Sequence, residues 1–179
     1  SEVEEILEDI RRRMTRVEER LRKSNKELED AIREVTKRLK KSLDDLKKII
    51  EEVKDVADKK GIDDKVKEKL KRDLDKHRRE SEELVKKLDK KLKDHKRDSK
   101  RVIDELKRKV EDLERIVRKG ELDAEELRKM VEDLTKELED LVEEDKERVK
   151  RWRDELEEIV KRDRDKVERW REEAEKIKK

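Results

Sequence analysis

The chain has 179 residues, of which 64% are charged, and it contains no Pro, Cys, Phe or Tyr. Because 58 basic and 56 acidic residues are interleaved and leave a net charge of only +2, we expect no one-signed patch for nucleic acid. The lack of Cys excludes disulfides, and no apolar run approaches the ~20 residues of a membrane span. We therefore expect a soluble protein with no cofactor, no nucleic acid and no membrane partner, and the composition predicts no cellular compartment.

Two glycines divide the chain into near-equal thirds, and each is typical of a helix end. Gly61 and Gly120 both follow basic residues, at the position after a helix where a left-handed conformation favours glycine. Asp63 and Asp123 are then the expected N-caps, and Glu126 stands at the capping-box spacing from Asp123. The stretches between these points contain no helix breaker, which predicts helices at about 2–59, 63–118 and 123–178.

The loop lengths and the apolar pattern together predict the fold. Short loops between long helices favour antiparallel neighbours, so we predict an all-α fold: an elongated, antiparallel, up-down-up three-helix bundle formed as one domain by residues 1–179. The apolar stripe of the first helix has an average spacing of about 3.6 residues rather than the 3.5 of a heptad, which predicts nearly straight helices. Its members are Val3, Leu7, Ile10, Met14, Val17, Leu21, Ser24, Leu28, Ile32, Val35, Leu39, Ser42, Leu46, Ile50, Val53 and Ala57.

The pattern within the helices repeats about every eighteen residues, or five turns. Leu70 and Leu88 are equivalent in the second helix, as are Leu134, Trp152 and Trp170 in the third. With three equal helices, the near-duplicate loops KGID and KGELD, and the missing residue types, the whole chain resembles de novo designed, parametrically built helical bundles. That resemblance implies a structural scaffold with buried hydrogen-bond networks and no natural biochemical function. Spectrin-like three-helix repeats are the nearest evolved comparison, but they are usually heptad-based and less uniform.

Polar residues interrupt the stripe, and they too recur at eighteen-residue intervals in each helix. The only two histidines are each followed four residues later by a serine. When two residues lie at the same height in an antiparallel hairpin, the mean of their residue numbers equals the residue number at the centre of the turn. The matching Ser–His pairs have a midpoint of about 59.5, beside the first glycine, and the His–Asp pairs have a midpoint at the second. The sequence therefore predicts two polar layers: Ser24, His95 and Asp145, with Ser99 and Asn25, and Ser42, His77 and Asp163, with Ser81.

These residue types permit several functions. We favour a hydrogen-bond network that specifies helix register, in which each His donates to Asp, contacts a Ser hydroxyl and leaves every polar atom satisfied. Ser, His and Asp are also the residues of a hydrolytic triad, but the sequence offers no nucleophile elbow and no free backbone N–H groups for an oxyanion hole, so we expect no enzyme. One His and one Asp in each layer are too few ligands for zinc, so we expect no metal.

Two further alternatives remain. Burial would disfavour a charged imidazole whereas a nearby Asp would favour it, so the sequence leaves a pH response open. No exposed apolar patch marks a partner site, and we expect Trp152 and Trp170 to fill the core. We accordingly expect a monomer without binding partners, and association through swapped helices is the alternative.

Overall fold

The computed structural model describes residues 1–61 and 64–179, and this part of the chain is almost entirely helical. The helices are α1 (Glu2–Lys60), α2 (Asp64–Arg118) and α3 (Ala124–Lys178), and the described residues include no strand. Helix α1 packs against both α2 and α3, so the fold is an all-α three-helix bundle, as predicted. The bounds agree with the predicted ones to within one residue. The predicted N-cap at Asp63 lies outside the described residues.

The end of α2 confirms the role predicted for Gly120. This glycine has a φ of 71°, in the left-handed region, and its N–H donates to the Val117 carbonyl at 3.0 Å. The next N–H, from Glu121, donates to the Ile116 carbonyl at 3.4 Å. These two bonds form a Schellman motif, which satisfies carbonyls that the helix itself leaves free. Gly61 has a similar φ of 66° at the end of α1.

The start of α3 likewise follows from its sequence. The Glu126 N–H donates to Asp123 Oδ1 at 2.8 Å, which is the N-cap hydrogen bond that the spacing predicts. Leu127 is fully buried, and Leu122 packs against the same cluster. Because these leucines lie on either side of the cap, they fix the direction in which the chain enters α3.

The bundle divides into two compact units, each built from parts of all three helices. Unit 1 comprises Ser1–Glu29 and Leu92–Trp152, and unit 2 comprises Asp30–Lys91 and Arg153–Lys179. In unit 1 the first part of α1 meets the last part of α2, so these helices run antiparallel; in unit 2 the last part of α1 meets the first part of α2 in the same sense. That residues 1–179 form one domain stays a prediction.

The core of each unit is aliphatic and follows the predicted stripe. Every predicted stripe residue of α1 is buried except Val3 and Ser42, which are half-buried. Each buried aliphatic side chain contributes about 1.5–3 kcal/mol, whereas an exposed ion pair contributes about 0–1 kcal/mol, so the core dominates stability. The core of unit 1 contains Leu7, Ile10, Met14, Val17, Leu21, Leu106, Val110, Leu113, Leu127, Val131, Leu134 and Leu138, and a cluster in unit 2 contains Leu46, Ile50 and Leu74.

Candidate functional site: two buried polar layers

Unit 1 buries four polar side chains among its aliphatic residues. We call them the His95 layer: Ser24 from α1, His95 and Ser99 from α2, and Asp145 from α3. The His95 side chain is the most enclosed, with 3% of its surface exposed. Buried polar groups normally have hydrogen-bond partners, so the contacts that each of these groups makes determine whether the layer stabilises the helix pairing.

Unit 2 contains the equivalent group, which we call the His77 layer. It consists of Ser42 from α1, His77 and Ser81 from α2, and Asp163 from α3. His77, Ser81 and Asp163 are buried, and Ser42 is half-buried. Each unit thus holds one predicted set, with at least one residue from every helix.

One carboxylate connects the three helices of unit 2. The Ser42 hydroxyl donates to Asp163 Oδ2 at 2.5 Å, and His77 Nε2 lies 3.3 Å from Asp163 Oδ1. The edge of the His77 ring meets Trp170, with centroids 4.9 Å apart and an interplanar angle of 82°. Asp163 therefore contacts α1 through a hydroxyl and α2 through an imidazole.

The hydrogen bonding of this layer is incomplete, so the expectation that every polar atom is satisfied is wrong. Within the described residues, neither ring nitrogen of His77 has a hydrogen-bond partner, and Asp163 Oδ1 has none either. The 3.3 Å separation is short enough for a hydrogen bond, so the alignment is what fails. Helix geometry places the two residues at one height, but it does not direct the ring N–H at the carboxylate.

The His95 layer has a different set of contacts. His95 Nε2 lies 3.6 Å from Asp145 Oδ1, and the ring is tilted by 47° against Trp152 at a centroid distance of 5.4 Å. On the other side of the ring, Arg148 Nη1 lies 3.3 Å from Nδ1. Ser24 is buried, but its hydroxyl has no hydrogen-bond partner among residues 1–61 and 64–179, so the expected Ser24–His95 hydrogen bond does not form.

The remaining predicted members differ in how deeply they lie. Asn25 is half-buried, and its side-chain oxygen has no partner in the described part of the chain. Ser99 lines a cavity of about 140 Å³ together with Asp145 and Arg148. A cavity of this size next to a carboxylate and a guanidinium is large enough for water.

Burial and a neighbouring cation determine the direction in which the pKa of His95 is shifted. Burial of the ring lowers the pKa of His95, and the nearby Arg148 charge lowers it further. Asp145 and Asp98 act in the opposite direction but more weakly. Desolvation therefore outweighs carboxylate pairing, and the neutral imidazole is the favoured form in unit 1.

The sequence did not indicate the contact of Arg148 with His95 or the contacts of the two tryptophans with the imidazoles. Arg148 is one of 58 basic residues, and nothing in the composition distinguishes it. The available signal was its place one turn after Asp145, on the same face of α3, with Lys166 at the equivalent position eighteen residues later. Trp152 and Trp170 are half-buried and contact the imidazoles, and Trp170 also packs against the aliphatic cluster of unit 2.

The geometry limits the chemistry of these layers. The Ser42 proton is directed at a carboxylate and not at an imidazole, which is the opposite of what a serine nucleophile needs. Among the described residues, no three His, Cys, Asp or Glu side chains converge as a metal site, and no helix has the length of apolar sequence that a bilayer crossing requires. Comparison with protein-family models, curated proteins and solved structures found no match.

Proposed function

We propose that this chain is a designed structural scaffold in which the two buried polar layers specify which helices pair and in what register. The observation that carries the proposal is the position of Asp163, whose carboxylate meets Ser42 of α1 and His77 of α2 within one cross-section of unit 2. A slip of either neighbouring helix by one turn, about 5.4 Å, would leave this carboxylate buried against aliphatic side chains. Burying an unpaired charge costs several kcal/mol, so slipped registers are disfavoured.

The test separates specificity from stability. Replacing the three residues of the His77 layer that meet at the carboxylate by apolar residues (Ser42→Ala, His77→Leu and Asp163→Leu), with Ser81 retained, removes the penalty on slipped registers and keeps the core hydrophobic. We expect the helical content to survive while the sample becomes more heterogeneous than the parent, seen as additional masses by light scattering and as broadened amide NMR resonances. If the sample remains one species with the spectrum of the parent even when the equivalent residues of the His95 layer are replaced as well, the proposal is contradicted.

A matched control distinguishes a loss of register from a general effect of mutation. The equivalent change in unit 1 (Ser24→Ala, His95→Leu and Asp145→Leu) leaves the His77 layer intact. Because either remaining layer still opposes a slip of continuous helices, each single-layer variant should be less heterogeneous than the variant that lacks both. If all three variants show the same heterogeneity, the layers do not act as register signals.

Hydrolysis is the competing function, and it is not favoured by the contacts of Ser42. Its hydroxyl donates to Asp163, and the backbone N–H groups beside it bond within α1, so neither a base nor an oxyanion hole is in place. We therefore propose that the chain is not an enzyme. Turnover of an activated ester should be the same in the parent and in Ser42→Ala, and a loss of turnover in that variant would support a serine hydrolase instead.

A further inference from the structure

The two layers share their core residues but differ at one flanking position on α3. Arg148 of unit 1 is replaced by Lys166 at the equivalent place in unit 2. Arg148 Nη1 lies 3.3 Å from His95 Nδ1, whereas Lys166 Nζ lies 3.4 Å from Glu80 Oε2. The same repeat therefore gives one imidazole a cationic neighbour and directs the other cation to a carboxylate.

The Arg148 contact determines which nitrogen of His95 carries the proton. A guanidinium only donates hydrogen bonds, so His95 Nδ1 must be the acceptor and must lack a proton. The single proton of the neutral ring then resides on Nε2, which lies 3.6 Å from Asp145 Oδ1 and has no hydrogen-bond partner among the described residues. Protonation of Nδ1 would bring two N–H donors against each other at 3.3 Å and place two positive charges side by side.

We propose that Arg148 is a positioning residue that holds His95 as the neutral Nε2–H tautomer and thereby opposes protonation of this ring. The structural role of the layer rests on the proposed scaffold function, but the tautomer and its dependence on Arg148 do not. In unit 2 the corresponding site is open, because His77 Nδ1 has no hydrogen-bond partner among the described residues.

The groups around His95 on all three helices support this assignment. Helix α3 contributes Asp145 and the Arg148 guanidinium, α2 contributes Asp98, and α1 contributes only the uncharged Ser24 to the layer. Burial and Arg148 oppose the imidazolium, and the two carboxylates favour it less strongly. Asp98 is itself paired with Arg101 at 3.5 Å, which weakens its pull on the imidazole.

The test is a pH titration of both histidine rings by ¹⁵N NMR in the full chain, which reports tautomer and protonation together. In the parent, His95 should show the Nε2–H pattern at neutral pH. In Arg148→Met that preference should be lost, and the midpoint of the His95 titration should rise by about half a pH unit or more. A buried charge at this distance shifts a midpoint by about 1–3 units, and we expect a smaller rise here because Arg148 is half-buried.

A reciprocal variant and a control keep the test decisive. Lys166→Arg should give His77 the Nε2–H preference that His95 has in the parent, because a guanidinium that reaches His77 Nδ1 can only donate to it. Arg151→Met, at an exposed position of α3, should change neither ring. The inference would be overturned if the tautomer and titration midpoint of His95 were unchanged in Arg148→Met. It would also be overturned if the tautomer of His77 were unchanged in Lys166→Arg. Failure of the scaffold proposal would appear separately, as a single species in the apolar-layer variants.

Discussion

Replacing Asp163 by alanine should lower the free energy of unfolding by about 2–4 kcal/mol. The carboxylate is 8% exposed, accepts the Ser42 hydroxyl at 2.5 Å and lies 3.3 Å from His77 Nε2. A hydrogen bond to a charged acceptor contributes about 1.5–3 kcal/mol, and the Ser42 hydroxyl, the group that loses its hydrogen-bond partner, adds about 1–3 kcal/mol. Relief from burying the carboxylate offsets part of this loss, which gives the stated range.

Removing the three side chains that meet at the carboxylate should be less harmful than removing the carboxylate alone. In the variant Ser42→Ala, His77→Leu and Asp163→Leu none of these three polar groups is left without its partner, and apolar side chains occupy the space. Replacing a buried ionic group by hydrophobic residues of similar volume is often neutral or stabilising, so we expect an unfolding free energy within about 1 kcal/mol of the parent or above it. A lower free energy of unfolding for Asp163→Ala than for the triple variant indicates that the single substitution leaves a polar group without its partner.

Urea denaturation followed by far-ultraviolet circular dichroism measures both variants. For a chain of this length 1 kcal/mol corresponds to about 2–4 °C in melting temperature, so Asp163→Ala should melt about 4–16 °C lower. Asp165→Ala is the matched control, because it makes the same change at an exposed position of α3 and includes the same gain in helix propensity. If Asp163→Ala is as stable as Asp165→Ala, the buried carboxylate does not stabilise the fold. If the triple variant has a lower free energy of unfolding than Asp163→Ala, no polar group is left without a partner by the single substitution.

Three further predictions concern the core, the loop and acidity. Leu28→Ala, at a side chain with no exposed surface, should cost about 2–5 kcal/mol in urea denaturation, whereas Met130→Ala, at 42% exposure, should stay within about 0.5 kcal/mol; equal losses would contradict the core assignment. Gly120→Ala should cost about 1–2 kcal/mol because its φ is 71°, and Asp123→Ala should cost about 1 kcal/mol by removing the N-cap; a thermal melt unchanged by both would show that this loop does not restrain the helices. Acidification should destabilise the chain, because burial lowers the pKa of His95 in the folded state and the unfolded chain therefore binds this proton first. The stability that His95 contributes is complete above its ordinary pKa of about 6.5, and it declines as the pH falls toward the pKa of the folded state. Urea titrations at pH 7 and pH 5 measure the difference, and a more stable chain at pH 5 would contradict the sign.

The helix boundaries and the core could be predicted because they depend on local backbone chemistry and on spacing. Gly120 must follow α2 because it alone adopts the left-handed φ at low cost, and Asp123 must precede α3 because its carboxylate binds a free N–H group. The heights of the polar residues follow in the same way, since a helix advances about 1.5 Å for each residue. Residue numbers alone pair His77 with Asp163, and His77 Nε2 lies 3.3 Å from Asp163 Oδ1.

The hydrogen-bond partners could not be predicted, because they depend on side-chain rotamers and on residues beside the stripe. Ser24 and Ser42 occupy equivalent positions, yet only Ser42 donates to its Asp, and Ser24 has no partner among the described residues. The neighbouring tryptophans lie differently against the two imidazoles, one edge-on at 82° and one tilted at 47°. An eighteen-residue repeat reproduces backbone positions, but it does not reproduce the orientation of a ring within its pocket.

The half-buried positions therefore decide how two otherwise equal layers behave. The His, Asp and Ser residues are the same in both layers, so a difference between the layers must originate in flanking residues. One such difference is Arg148 in place of Lys166: Arg148 contacts His95, whereas Lys166 pairs with Glu80. The planar guanidinium of Arg148 can donate to a ring nitrogen in a defined direction, whereas the more strongly hydrated ammonium of Lys166 pairs with the carboxylate of Glu80. Exchanging the two cations should then exchange the tautomer preferences of His95 and His77 while the aliphatic core stays unaltered, because neither cation belongs to that core.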